Sequence, residues 1–147
     1  MKAIFVGGLL FLGMLGCGVA HAEATSDAEK AAVGTWYGEF SPSAGQAVQR
    51  FLTIREADGS LTIQARLYEG SKVLSEVRNR GLWGISNGMY FTVTTEVNGQ
   101  KTDPRLPEVI NAYLIQKLAA GEFEYLHVAS GNRFHVQKVD PAKAQLP

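Results

Sequence analysis

From residue 33 onward the chain alternates between apolar and polar positions in short runs rich in Val, Ile, Thr, Phe and Tyr. Clusters of turn residues interrupt these runs about every ten residues, the spacing of an all-β barrel or sandwich. Eight strands are predicted, at 33–40, 47–56, 61–68, 72–85, 89–97, 109–118, 122–129 and 133–139. Asp58-Gly59, Asn87-Gly88 and Asn98-Gly99 are dipeptides that close two-residue hairpins, because both central residues tolerate a positive φ. In the third run Leu61, Ile63, Ala65 and Leu67 share one face and Thr62, Gln64, Arg66 and Tyr68 the other. In the fifth, Met89, Phe91, Val93 and Val97 oppose Tyr90, Thr92, Thr94 and Glu96. Side chains of a strand point alternately to its two faces, so each run has one face for a core and one for water. The run 109–118 is the exception: Val109, Ile110, Tyr113, Leu114 and Lys117 fit a helical spacing about as well.

Successive strands joined by tight turns form an up-and-down meander. Left open, such a sheet exposes two edges, and closure into a barrel removes both. The fold class predicted is therefore all-β, an eight-stranded antiparallel up-and-down barrel, with a two-sheet sandwich as the alternative. A barrel of this size either fills with side chains or encloses one small ligand.

The N-terminus reads differently. Lys2 is the only charge before Glu23, and an apolar, glycine-containing stretch leads to Ala20-His21-Ala22. A positive tip, an apolar stretch and small residues at the cut are what signal peptidase recognises. Residues 1–22 are thus expected to be a signal peptide, 23–32 a flexible lead-in with a helical turn capped by Ser26 or Asp27, 33–139 the barrel, and 140–147 a disordered tail. Export to the bacterial periplasm follows. An alternative processing uses Cys17, the single cysteine, in Met14-Leu15-Gly16-Cys17, which looks like a lipoprotein signal and would anchor the chain to an envelope membrane. Membrane attachment is expected only in that case.

Cleavage after Ala22 removes Lys2 alone among the charged residues, leaving 13 basic against 14 acidic. A near-neutral surface gives nucleic acid and anionic lipid no electrostatic footprint. The remaining domain has no thiol, so its core must hold it without a disulfide.

Gly34-Thr35-Trp36, opening the first strand of such a meander, resembles the pattern of lipocalins and the wider calycin superfamily. The resemblance implies that Trp36 closes one end of the barrel and that an arginine of the last strand, Arg133, packs across its ring. A guanidinium over an indole is favourable by roughly 0.5–2 kcal/mol. The second lipocalin signature, Thr-Asp-Tyr, has no match, since Thr102-Asp103 is followed by Pro104. Gly34-Thr35-Trp36-Tyr37 is also similar to the first strand of avidins, but beyond Trp83 the tryptophans of a biotin site have no counterparts.

These readings converge on an exported carrier of a small apolar molecule, with no cofactor and no covalent chemistry. The expected ligand-lining residues are Leu67, Trp83, Phe91 and Tyr113. Two rivals remain: an envelope interaction or inhibitor protein with a filled barrel, and a metal- or haem-binding barrel or barrel enzyme built on His127 and His135. Those histidines flank Ser130-Gly131-Asn132, and a three-residue loop would set them opposite each other. Their face would then be the outer one, since Leu126, Val128, Phe134 and Val136 supply an apolar face for the interior. Nucleophile elbows, phosphate loops and His-Glu-x-x-His are absent from the sequence. The long connection after Val97, stiffened by Pro104 and Pro107, reads as a solvated connector, with Asp103 and Arg105 as contacts if it is a binding loop.

Overall fold

The computed structural model describes residues 26–42, 45 and 47–147. The expected signal peptide and Cys17 lie outside the described residues. One helix, α1 (Asp27–Ala32), precedes nine strands: β1 (Gly34–Phe40), β2 (Ala47–Arg55), β3 (Ser60–Glu69), β4 (Lys72–Ser86), β5 (Met89–Val97), β6 (Gln100–Lys101), β7 (Ile110–Ala119), β8 (Glu122–His127) and β9 (Arg133–Val139). The two-residue β6 only folds back on the end of β5. The other eight run antiparallel in the order β4-β3-β2-β1-β9-β8-β7-β5, and pairing of β4 with β5 closes the ring. The result is a closed eight-stranded antiparallel barrel, compatible with a calycin-like fold. The run that fitted helix and strand equally well is β7, paired on both edges.

Local chemistry explains the turns and the helix. Asn87 and Asn98 adopt φ of 50° and 49°, each followed by a glycine that is also left-handed, as the Asn-Gly hairpins require. Ser26 and Glu29 form a reciprocal capping box at the start of α1. Glu29 also accepts from the backbone N–H of Ile85 at 3.3 Å, and Trp36 Nε1 donates to the Ala32 carbonyl at 2.8 Å. These two bonds hold the helix across one end of the barrel, where Ala32 and Trp36 are both fully buried. Gly38 lets the wall pinch inward: a Cβ there would lie 2.5 Å from Phe51 Cζ and 2.7 Å from Val136 Cγ1.

The inward face of β5 is not its more apolar one, and β8 turns its aromatic side inward with Leu126 on the outer side. Tyr90 and Thr92 are buried, whereas Phe91 points outward and is 37% exposed. In β8 Phe123 and Tyr125 are buried, and Val128, in the loop just past its end, is exposed. The outer wall is correspondingly apolar: Leu82, Val93 and Ile110 are cross-strand neighbours, as are Met89, Leu114 and Leu126. Leu82, Ile110 and Leu114 are exposed.

On the other side of the barrel, residues 140–147, expected as a disordered tail, lie along the outer wall of β1–β3. Arg66 Nη1 donates to the carbonyl oxygens of Leu146 and Pro147 at 3.1 and 3.0 Å, and the Tyr68 hydroxyl donates to that of Pro147. Leu52 and Tyr68, which face outward, are buried there.

Candidate functional site

Strand β2 shows how the interior is layered. Gly34 pairs with Arg55 and Phe40 with Gln49, so Arg55 lies at the α1 end and Gln49 near the opposite end. The inward positions Gln49, Phe51, Thr53 and Arg55 therefore descend step by step toward the helix. The lower layer is solid: Trp36, Arg55, Phe123 and Val136 are fully buried. Above it the barrel holds a cavity of about 220 Å³.

One wall of that cavity is aromatic. Tyr90 stacks on Tyr113 at 5.2 Å between ring centroids, Tyr113 meets Tyr125 edge-on at 5.1 Å, and Tyr125 stacks on Phe134 at 5.5 Å. The facing wall is Phe51, Ile63 and Ala65, and Gln49, Thr53 and Thr92 add polar groups. Burial pushes the Tyr113 phenol up to about 12 and the Tyr125 phenol higher still, with the Arg55 charge pulling against burial in both. Both phenols are neutral at physiological pH and offer O–H donors to the space beside them.

Beneath the floor stands Arg55. Its Nε donates to the Tyr90 hydroxyl at 3.1 Å. Its Cζ lies 4.7 Å from the Tyr90 ring centroid, 5.0 Å from Phe123 and 5.9 Å from both Trp36 and Tyr125. Each such contact is favourable by about 0.5–2 kcal/mol, against several kcal/mol for taking a charge out of water. Among the described residues no carboxylate pairs with it, and Nη1 and Nη2 are buried without a hydrogen-bond partner. The third such atom is Asn79 Oδ1.

Of the four residues named from the sequence, Tyr113 stands at the cavity. Trp83 is buried lower down, its Nε1 donating to the Glu56 carbonyl at 3.0 Å, in the packed core. Leu67 is half-buried opposite Gln49, outside the cavity lining. Phe91 is on the outer wall because β5 turns its tyrosine and threonine side inward. The last strand does send a cation over Trp36, but it is Lys138, with Nζ 5.4 Å from the ring centroid. Arg133 is exposed at the start of β9, opposite Leu126. The missed residues are Arg55, Tyr90 and Tyr125. The signal for Arg55 was present, since it keeps the alternation of Phe51 and Thr53.

The two histidines do not meet. Four residues, 128–131, separate the hydrogen-bonded ends His127 and Asn132, instead of the three expected. The register becomes Tyr125↔Phe134 and Glu124↔His135, which couples odd positions with even ones. A slip of odd parity moves a whole strand to the other face. His127 thus follows Tyr125 on the inner side, with Nε2 3.1 Å from Asn111 Oδ1 and Nδ1 2.7 Å from Ser130 Oγ, while His135 is exposed outside. Asp103 and Arg105 bind each other at 2.7 Å in the exposed connection.

No family model matches the chain, and no curated protein matches it. The class is therefore defined by the structure itself: a closed antiparallel barrel, sealed at one end by a helix, with a ring-lined cavity above a buried arginine.

Proposed function

We propose that this protein is an exported, lipocalin-like binding protein that holds one small, mainly apolar molecule inside the barrel and does no covalent chemistry on it. The cavity carries this reading. Protein interiors are packed nearly as densely as organic crystals, and this ring-lined space of about 220 Å³, open to solvent on one side, is a break in that packing. An apolar cavity of about 150 Å³ holds benzene. The space suits a single ring with a few substituents and is too small for a whole long-chain lipid. Affinity would come from burial, at about 25 cal/mol per Å² of apolar area, with phenol and threonine hydroxyls setting orientation. The signal-like pattern of residues 1–22 supports a periplasmic location, with lipid anchoring through Cys17 as the alternative.

One observation favours a second reading, an envelope interaction protein acting through its surface: the apolar outer wall that carries Leu82, Phe91, Ile110 and Leu114. That reading has no use for space inside the barrel, so occupancy of the cavity decides between the two. Calorimetry with p-cresol, a ring of the right size, is expected to give saturable binding at one site per chain. Absence of saturable heat up to the solubility limit, both with p-cresol and with its carboxylate counterpart p-toluate, would remove the carrier reading.

A further inference from the structure

The geometry points to an anionic ligand: we infer that the molecule held in the cavity is a ring-sized carboxylate whose counter-charge is Arg55. This rests on reading the cavity as a binding site. Gln49, Phe51 and Thr53 line the space, and Arg55 is the next inward position on the same strand. Two residues of strand advance about 7 Å, so the guanidinium lies one layer below the cavity floor. Tyr90 and Tyr125 belong to both layers, lining the cavity above and contacting the guanidinium below.

The charge is incompletely answered. Only Nε has a hydrogen-bond partner, the Tyr90 oxygen, and both terminal nitrogens have none. Because the Tyr90 oxygen accepts from a cation, its own proton is left to donate elsewhere and is polarised toward an acceptor. Hydrogen bonds of this kind are strongest when the acceptor is charged. The acidic side chains that form ion pairs among the described residues, Asp27, Glu39, Glu76, Glu96, Asp103 and Glu122, pair with cations outside the barrel or in the connection. Among the described residues no carboxylate forms an ion pair with Arg55, so the interior holds a positive charge without a paired protein anion. A carboxylate entering ring-last would place its oxygens at the Tyr90 and Tyr125 hydroxyls, over that charge, and leave its ring between the aromatic wall and Ala65.

The test compares benzoate, the neutral isostere benzamide and toluene by calorimetry at pH 7, with protein purified after expression of the full chain. Benzoate is expected to bind at least about tenfold more tightly than benzamide, a difference of about 1.4 kcal/mol. Tyr90→Phe, which keeps the ring and removes the hydroxyl, is expected to erase most of that preference while leaving toluene affinity within about twofold. Arg55→Met is a second variant, since a neutral chain of similar length there should also abolish the preference. Equal affinities for benzoate and benzamide would overturn the anion assignment and leave the carrier reading standing. A benzoate preference that persists in Tyr90→Phe would overturn it too. Failure of all three probes to bind would remove the carrier reading itself.

Discussion

The two halves of the barrel are built from the same strands and the same alternation, yet they are filled in opposite ways. Under α1, Trp36, Phe123, Val136 and Arg55 leave no exposed surface, and Trp36 meets Phe123 edge-on at 5.9 Å. One layer up, the inward positions shrink to Thr53, Ala65 and Thr92, and the rings of Tyr113, Tyr125 and Phe134 stack along one wall without filling the middle. Side-chain volume alone makes the difference. The lower half should therefore carry most of the stability and the upper half the room for a ring, with Arg55 the lower-half residue whose charge acts on that room.

The sharpest way to break that division is Trp36→Ala. It removes a fully buried ring, the bond to Ala32 and the platform for Lys138 and Arg55. A loss of about 3–5 kcal/mol is expected in urea unfolding. A smaller loss would mean that the layer under α1 is not the anchor of the fold.

The phenols of the upper half give the next effect. Tyr113 has an ordinary value of 10.0 and is raised to about 12 in the folded protein, chiefly by burial. Between those values the unfolded chain has lost the proton and the folded one still holds it, so stability must fall as pH rises. The Tyr113 contribution should be flat below about pH 10 and decline by on the order of 2 kcal/mol by pH 12. Denaturant midpoints across that range would show it, and Tyr113→Phe should make the slope shallower without removing it, because the Tyr37 and Tyr125 phenols are raised as well.

Smallest is the helix cap. Ser26→Ala removes the side-chain half of the capping box, and the expected loss is about 1 kcal/mol with ring binding unchanged. Hydrogen exchange at Glu29 and Lys30 would locate the effect at α1.

How much of this could be read from the chain follows the same division. Strand positions were legible because alternation and the Asn-Gly turns act locally. Trp36 was legible because its Gly-x-Trp context resembles a known barrel opening. The cavity wall was not, because choosing the inner face of a strand by hydrophobicity assumes a greasy interior and a polar exterior. Strand β5 breaks that assumption with Tyr90 and Thr92 inside and Phe91 outside. The histidine pair failed for a different reason: one more loop residue than expected changed the parity of the β8–β9 register. Arg55 was passed over because a buried cation without an acidic partner is a tertiary fact. Its four surrounding rings come from β1, β5 and β8.

The most direct measurement fills the space and asks what is lost. Ala65 is buried on the wall facing the tyrosines, and Ala65→Leu adds three carbons into the cavity. Calorimetry with a ring-sized ligand and urea unfolding should be run on the same preparation. The account predicts that ring binding weakens at least about tenfold while stability stays within about 1 kcal/mol, because the new side chain occupies empty volume. Unchanged binding in a stably folded Ala65→Leu variant would contradict it.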